Sequence, residues 1–216
     1  MKSAARNIDA VLLAAGLSRR MGAENKLLLR YQGRPLVRHT AATLIKARFR
    51  RLLVVTGHDA MRIEGALAGL AVTTSRNPHY RKGQMSSVVH GLRALMPGMG
   101  KNTPADGIMI ALADMPYLTA ADYRDLARAF REDGCEHIIV PEFLGQRGNP
   151  IVLPPRLAAV ASNGDLNTGC RRLIENRPGD VRTVEARNSA FVRDIDTATD
   201  YGHAVRSSYL AAPCCG

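Results

Sequence analysis

The 216 residues carry 30 Lys and Arg against 19 Asp and Glu, a formal net charge of +11, while aromatic residues make up only 5% and tryptophan is absent. That length suits one α/β domain with a full core. The scarce aromatic platforms and the scatter of the arginines speak against a nucleic-acid binder and for small phosphorylated ligands, and no run approaches the roughly 18 consecutive apolar residues of a membrane span.

In chain order, the first element is a short apolar run, Ile8, Ala10, Val11, Leu12 and Leu13, which predicts a strand covered on both faces. With the basic residues before it this run superficially matches a secretory signal, but Asp9 lies inside it, so a cytoplasmic location is expected. Ala14, Ala15 and Gly16 follow with almost no side chain, leaving main-chain N–H groups open to a base or phosphate. Arg19, Arg20 and Lys26 then supply a planar fork and a point charge for phosphate oxygens. The loop is neither a Walker motif, since Lys26 stands between Asn25 and Leu27, nor a dinucleotide fingerprint, since no glycine lies between Gly16 and Gly22.

Beyond it, Pro35 to Phe49 reads as a helix with Leu36, Thr40, Leu44 and Ala47 on one face. Leu52 to Gly57 is a strand, Met61 to Ala68 a short helix, Ala71 to Ser75 a strand and Met85 to Leu95 a helix. Residues 97 to 104 form a loop, Gly107 to Leu112 is a strand, Thr119 caps a helix ending near Gly134, and His137 to Val140 is a further strand. From Arg147 the alternation loosens, as an insertion carrying part of a binding site would. Alternating strands and helices predict an α/β protein, a three-layer α/β/α arrangement on a mostly parallel central sheet. Four cysteines offer no CxxC metal pair: Cys135 and Cys170 are isolated, and Cys214 and Cys215 are adjacent in an expected tail.

Carboxylates supply the candidate metal ligands. Asp114 follows an apolar strand, the place where doubly wound sheets bind ligands, and magnesium needs only one or two protein carboxylates. Asp194 and Asp196, two apart, would share one side of an extended segment, although Asp196-Thr197 also fits the N-cap of a helix over 198–206. Ser86 and Ser87 stand at a helix start, suited to an anion or to simple capping. Arg147-Gly148-Asn149-Pro150 is a fixed turn whose Arg147 and Asn149 could read a heterocycle edge or a phosphate. No histidine needs a catalytic role, His58 being the one excluded with least force.

Leu13-Ala14-Ala15-Gly16, Arg20-Met21 and Lys26 resemble the first loop of nucleotidyltransferases with a GT-A-like fold, LxxGxxxRM followed by a lysine. Further blocks resemble the MobA-like family and, within it, the molybdenum cofactor cytidylyltransferases: Asn77-Pro78, Gly83 to Ser87 with Gly91-Leu92, Ala113 to Pro116, Arg147 to Pro150 and Asp194 to Thr197. They stand in the family's order from residue 8 to about 200. The resemblance implies a Rossmann-like, nucleotide-diphospho-sugar transferase fold in a single domain over 1–206. Its nucleotide-binding part is about 8–115 and its acceptor-binding part about 116–200, with a tail over 207–216.

The same resemblance implies Mg2+ on Asp114 and Asp196, with Asp194 as the alternative, and catalytic roles for Arg20, Lys26 and Asp114. The nucleotide would contact Leu13, Ala14, Ala15, Gly16, Arg20, Lys26, Gly57, Ser86 and Asp114. The acceptor would contact Asn77, Ser86, Ser87, Arg147, Gly148, Asn149, Asp165 and Arg171. The implied reaction transfers CMP from CTP, or another NTP, to the phosphate of molybdopterin or molybdenum cofactor, releasing pyrophosphate, with a molybdenum hydroxylase or its chaperone as recipient. LAAG at 13–16, in place of the guanylyl group's LAGG, would narrow the base pocket against a purine. Three features depart from the pattern: Asn149 where histidine is frequent, two extra residues in the block from Gly164 to Arg171, and one extra in Met21 to Lys26. Transfer to a sugar phosphate or another phosphorylated alcohol, a non-catalytic cofactor-binding accessory protein, and a nucleic-acid binder are the alternatives.

Overall fold

A computed structural model describes residues 4–21, 24–95, 105–163 and 174–210. Strand β1 (Ile8–Ala14) is buried along its whole length. A two-residue ladder joins β2 (Arg30–Tyr31) to β3 (Arg34–Pro35), and α1 (Leu36–Ala47) follows directly. Then come β4 (Leu52–Thr56), α2 (Ala60–Leu67), β5 (Thr73–Arg76), α3 (Gln84–Leu95), β6 (Gly107–Leu112) and α4 (Ala120–Glu132). The chain continues with β7 (Ile138–Phe143), β8 (Gln146–Arg147), β9 (Ile151–Leu153), α5 (Pro155–Asn163), β10 (Val181–Glu185) and α6 (Ala198–Leu210). The expected loop at 97–104 lies largely outside the described residues.

The eight-stranded sheet has the order β10-β7-β9-β6-β1-β4-β5, with β8 paired to β7. β1 is central, parallel to β4 on one side and to β6 on the other. Both outer pairs, β4 with β5 and β7 with β10, are also parallel, whereas β9 runs antiparallel to β6 and β7. Side chains of β1 alternate between two cores, because successive residues of a strand point to opposite faces. Ile8, Ala10, Leu12 and Ala14 pack with α1 and α4; Val11 and Leu13 pack with α3 and α5. The result is the three-layer α/β/α, Rossmann-like fold with a mostly parallel sheet. Among the described residues no helix is long and apolar enough to cross a membrane.

Several boundaries move from the expected ones for local reasons. α1 ends at Ala47 because Arg48 takes a left-handed conformation, φ 65°, and turns its N–H back to the Ile45 carbonyl. Pro35, expected inside that helix, instead closes the β2–β3 hairpin, whose turn residues Gln32 and Gly33 both have positive φ, 49° and 77°. Thr119 does cap α4, and Asp122 returns the bond to complete a capping box. The region after Arg147, where the alternation loosens, contains β9, α5 and β10.

Candidate active site

Parallel strands bring their carboxyl ends to one edge of the sheet, and the site lies there. β1 runs into Ala15 and Gly16, and β6 runs into Ala113 and Asp114. Ala113 is held from two sides: its N–H donates to the Leu13 carbonyl at 3.1 Å and its carbonyl accepts from the Thr40 hydroxyl at 3.0 Å. The Asp114 carbonyl then accepts from the Ile195 N–H at 2.9 Å, fixing the late segment beside the early one. Ile195 is fully buried, so Asp194 and Asp196 turn outward together, and the three carboxylates Asp114, Asp194 and Asp196 each offer an oxygen within 4.8 Å of the others.

Of the Asp196-Thr197 pair, Thr197 takes the capping role for α6 and Asp196 does not. The Thr197 hydroxyl and the Asp200 carboxylate cap the helix reciprocally, with Asp200 also accepting from the Asp196 N–H. The Asp196 carboxylate is therefore spared for cations. Lys26 Nζ sits 2.7 Å from Asp196 Oδ1 and 2.8 Å from Asp114 Oδ2, and an Arg20 guanidinium nitrogen lies 2.7 Å from Asp196 Oδ2. Burial alone would push the Lys26 ammonium down, but Asp114 and then Asp196 outweigh it and hold it above the usual lysine range. Asp194 is raised as well, which for a carboxylate disfavours the charged form: burial, then the charges of Asp196 and Asp114, push it up.

These groups open onto a cavity of about 460 Å³ walled by Leu13, Ala15, Gly16, Tyr80 and Ser87, with Arg20, Lys26 and the three aspartates at its charged end. Ala14 is buried beneath it. Gly57 does not face the cavity; a Cβ there would lie 2.6 Å from Tyr80 Cβ and 2.8 Å from Ala15 Cβ, so its bare Cα lets the Tyr80 turn close against the first loop. Asn77 and Ser86 form a buried clip under the cavity: the Asn77 amide donates to Ser86 Oγ at 2.9 Å and Ser87 Oγ at 3.1 Å, and Ser86 donates to the His79 and Gly83 carbonyls. Arg147 is exposed on β8, while Gly148 packs on the Phe191 backbone and the Asn149 N–H donates to the Phe191 carbonyl at 2.8 Å. That turn thus braces the segment leading into Asp194. Asp165 and Arg171 lie outside the described residues, as do Cys170, Cys214 and Cys215.

Sequence reasoning did not single out Ser18, Leu27, Tyr80 or Leu112 as wall residues. Tyr80 follows no motif, and only the fold reveals that it closes on Gly57. The donor set suits a hard divalent cation: three carboxylates converge, and Asp114 Oδ1 is buried with no hydrogen-bond partner among the described residues.

The model of the MobA-like NTP transferase domain matches residues 10–183. The chain is 30% identical over 198 residues to the molybdenum cofactor cytidylyltransferase of Escherichia coli (strain K12), covering 90% of this chain and 93% of that one. It is 28% identical over 196 residues to the nicotine blue oxidoreductase of Paenarthrobacter nicotinovorans, covering 88% and 92%. Among solved structures, a nucleotidyl transferase from Methanothermobacter thermautotroptrophicus superposes with a TM-score of 0.76 at 24% identity, covering 95% of this chain and 99% of that one.

Proposed function

This chain belongs to the MobA-like NTP transferase family, and from that premise we propose that it transfers CMP from CTP to the phosphate of molybdopterin or molybdenum cofactor, in the cytoplasm, for maturation of a molybdenum hydroxylase. The observation that carries the reading is the meeting of Lys26 and Arg20 with Asp114 and Asp196 at the charged end of the cavity. Cations placed beside carboxylates there match a triphosphate and the metal that accompanies it. Ala15 and Gly16 give the base a backbone to approach, and the Ala15 methyl narrows that end against a purine.

The acceptor phosphate is already ionised at neutral pH, so no general base is required. One of its oxygens bonds to the α-phosphorus of CTP while the bond to the β-phosphate oxygen breaks, and pyrophosphate leaves. Lys26 and Arg20 offset the charge that grows on the leaving group, and the rigid loop sets the line of attack. Asp114 and Asp196 would hold Mg2+, which when bound polarises the phosphoryl oxygens. Ser87, on the cavity wall, and Arg147 are the residues assigned to the acceptor side, with Asn77, Ser86, Gly148 and Asn149 supporting their positions.

Purified protein with Mg2+ and each of CTP, GTP, ATP and UTP, with and without molybdenum cofactor, tests this by pyrophosphate release. The expected result is release with CTP that requires the cofactor and falls by about 10²–10³-fold in Asp114→Ala, the scale of losing a group that stabilises transition-state charge. Release that ignores molybdenum cofactor but follows a sugar phosphate moves the acceptor assignment. No release with any nucleotide overturns the transferase and turns attention to the redox chemistry named for the second relative.

A further inference from the structure

The residue before the lysine is buried, and both polar atoms of its side chain are engaged. Asn25 is 1% exposed, and its Oδ1 accepts from the Ser18 hydroxyl at 3.2 Å and from the Leu27 N–H at 3.1 Å. Its Nδ2 donates to Asp59 Oδ2 at 3.3 Å, on the turn between β4 and α2. Ser18 completes the ring, because the Lys26 N–H donates to its oxygen at 3.2 Å. Ser18 and Asp59 both occupy the left-handed region, at φ 50° and 53°, so both ends of the clasp are set in conformations that need support from their contacts. Burying an amide is costly unless its donors and acceptors are met; here the Leu27 N–H and Ser18 tie the amide to the backbone on either side of Lys26, and Asp59 holds it from outside the loop.

We propose that Asn25 is a positioning residue: through Ser18, the Leu27 N–H and Asp59 it fixes the backbone from which Lys26 reaches Asp114 and Asp196. The inference deepens the proposed function and rests on it only for the kinetic part of its test. Asp59 is the anchor outside the loop, tying the nucleotide-binding segment to the end of β4.

Two measurements test it on the full-length chain. In the first, mass spectrometry follows acetylation of Lys26 by a water-soluble N-hydroxysuccinimide ester. Lys26 is ion-paired and 12% exposed in the folded chain, so it should react slowly in the wild type and several-fold faster in Asn25→Ala, with other lysines unchanged. In the second, Asn25→Ala should lower kcat/KM for the nucleotide by about 10- to 100-fold, the scale of misplacing a charged group by an ångström. The same change in a Lys26→Ala background should cost less than about twofold, because residues that act through one another are not additive.

Should Asn25→Ala not fold, the reciprocal exchange decides. Asn25→Asp faces Asp59 with a like charge, and adding Asp59→Asn restores an amide–carboxylate pair with roles reversed. Both acetylation rate and kcat/KM should return to within a few-fold of wild type. Unchanged Lys26 reactivity, full additivity with Lys26→Ala, or an exchange that rescues neither readout overturns the proposal. A wild type that turns over no nucleotide overturns the function instead, and leaves the acetylation result to judge Asn25.

Discussion

Lys26 holds oxygens of two carboxylates at once, and Arg20 holds a second oxygen of Asp196. A divalent cation entering without nucleotide must compete with both side chains for the same atoms. A bound triphosphate offers those cations a better partner, so nucleotide and metal should bind with positive coupling. Lys26→Met therefore makes two opposite predictions. Mn2+ affinity without nucleotide, read by electron paramagnetic resonance, should rise roughly tenfold, since a unit positive charge a few ångströms away has been removed. kcat/KM should fall by about 10²-fold or more from loss of charge stabilisation on the leaving group. Unchanged Mn2+ affinity would show that the ammonium does not compete. Asp196→Asn should lower both quantities.

At the scale of elements, two glycines near the same cavity should respond differently to one added methyl. Gly57 follows β4 under Tyr80, where a Cβ would lie closer than side-chain carbons approach, whereas Gly16 has nothing within 4 Å of that position. Gly57→Ala should lower stability by about 1–3 kcal/mol, the range for overpacking, and also raise the nucleotide KM as Tyr80 shifts. Gly16→Ala should melt within a degree or two of wild type yet raise KM, because it fills only space meant for ligand; a large fall in Tm would refute that. What the sequence revealed divides along the same line. The strands before the site, Ile8–Ala14 and Gly107–Leu112, were legible because a strand buried on both faces is nearly all apolar, Asp9 being the one charged residue in the two. β9 was not: Ile151, Val152 and Leu153 are too short an apolar run to mark a strand or its direction, and only pairing with β6 and β7 makes it one, antiparallel to both. The Gln32-Gly33 turn escaped notice because glutamine is an unusual residue for positive φ. At the site, Lys26, Asp114 and Asp196 were legible as charged residues in recurring motifs. Tyr80 and Asn25 were not, since their importance comes from partners such as Gly57 and Asp59, distant in sequence.

Across the whole molecule, charge is divided between the two edges of the sheet. The carboxyl-end edge gathers Asp114, Asp194 and Asp196 around Lys26, an arrangement poised for ligand. The opposite edge carries clasps. There Asp9, fully buried near the start of β1, is gripped by the Arg50 and Arg51 guanidinium groups, and Asp133 after α4 is paired with Arg182 and His137. Burial works against ionisation of both aspartates, but their partners outweigh it and hold each carboxyl below the usual range. A carboxylate whose pKa is lowered by folding contributes stability above its unfolded value, near 3.8, and loses it as pH falls through the lowered folded value. Asp194, pushed up, has the reverse sign and relieves part of the loss. The wild type should therefore hold its urea midpoint down to about pH 4 and lose it steeply below. Asp9→Asn should cost roughly 3 kcal/mol near neutrality, because it leaves two arginines facing a buried neutral amide, and should flatten the acid limb of the profile. Since Asp9 lies at the far end of β1 from the cavity, its nucleotide KM should stay within about twofold of wild type, as expected for separate sites. Urea titrations from pH 2 to 8 with KM measured alongside check both; a KM that rises in step with the lost stability would show that the two edges are coupled through β1.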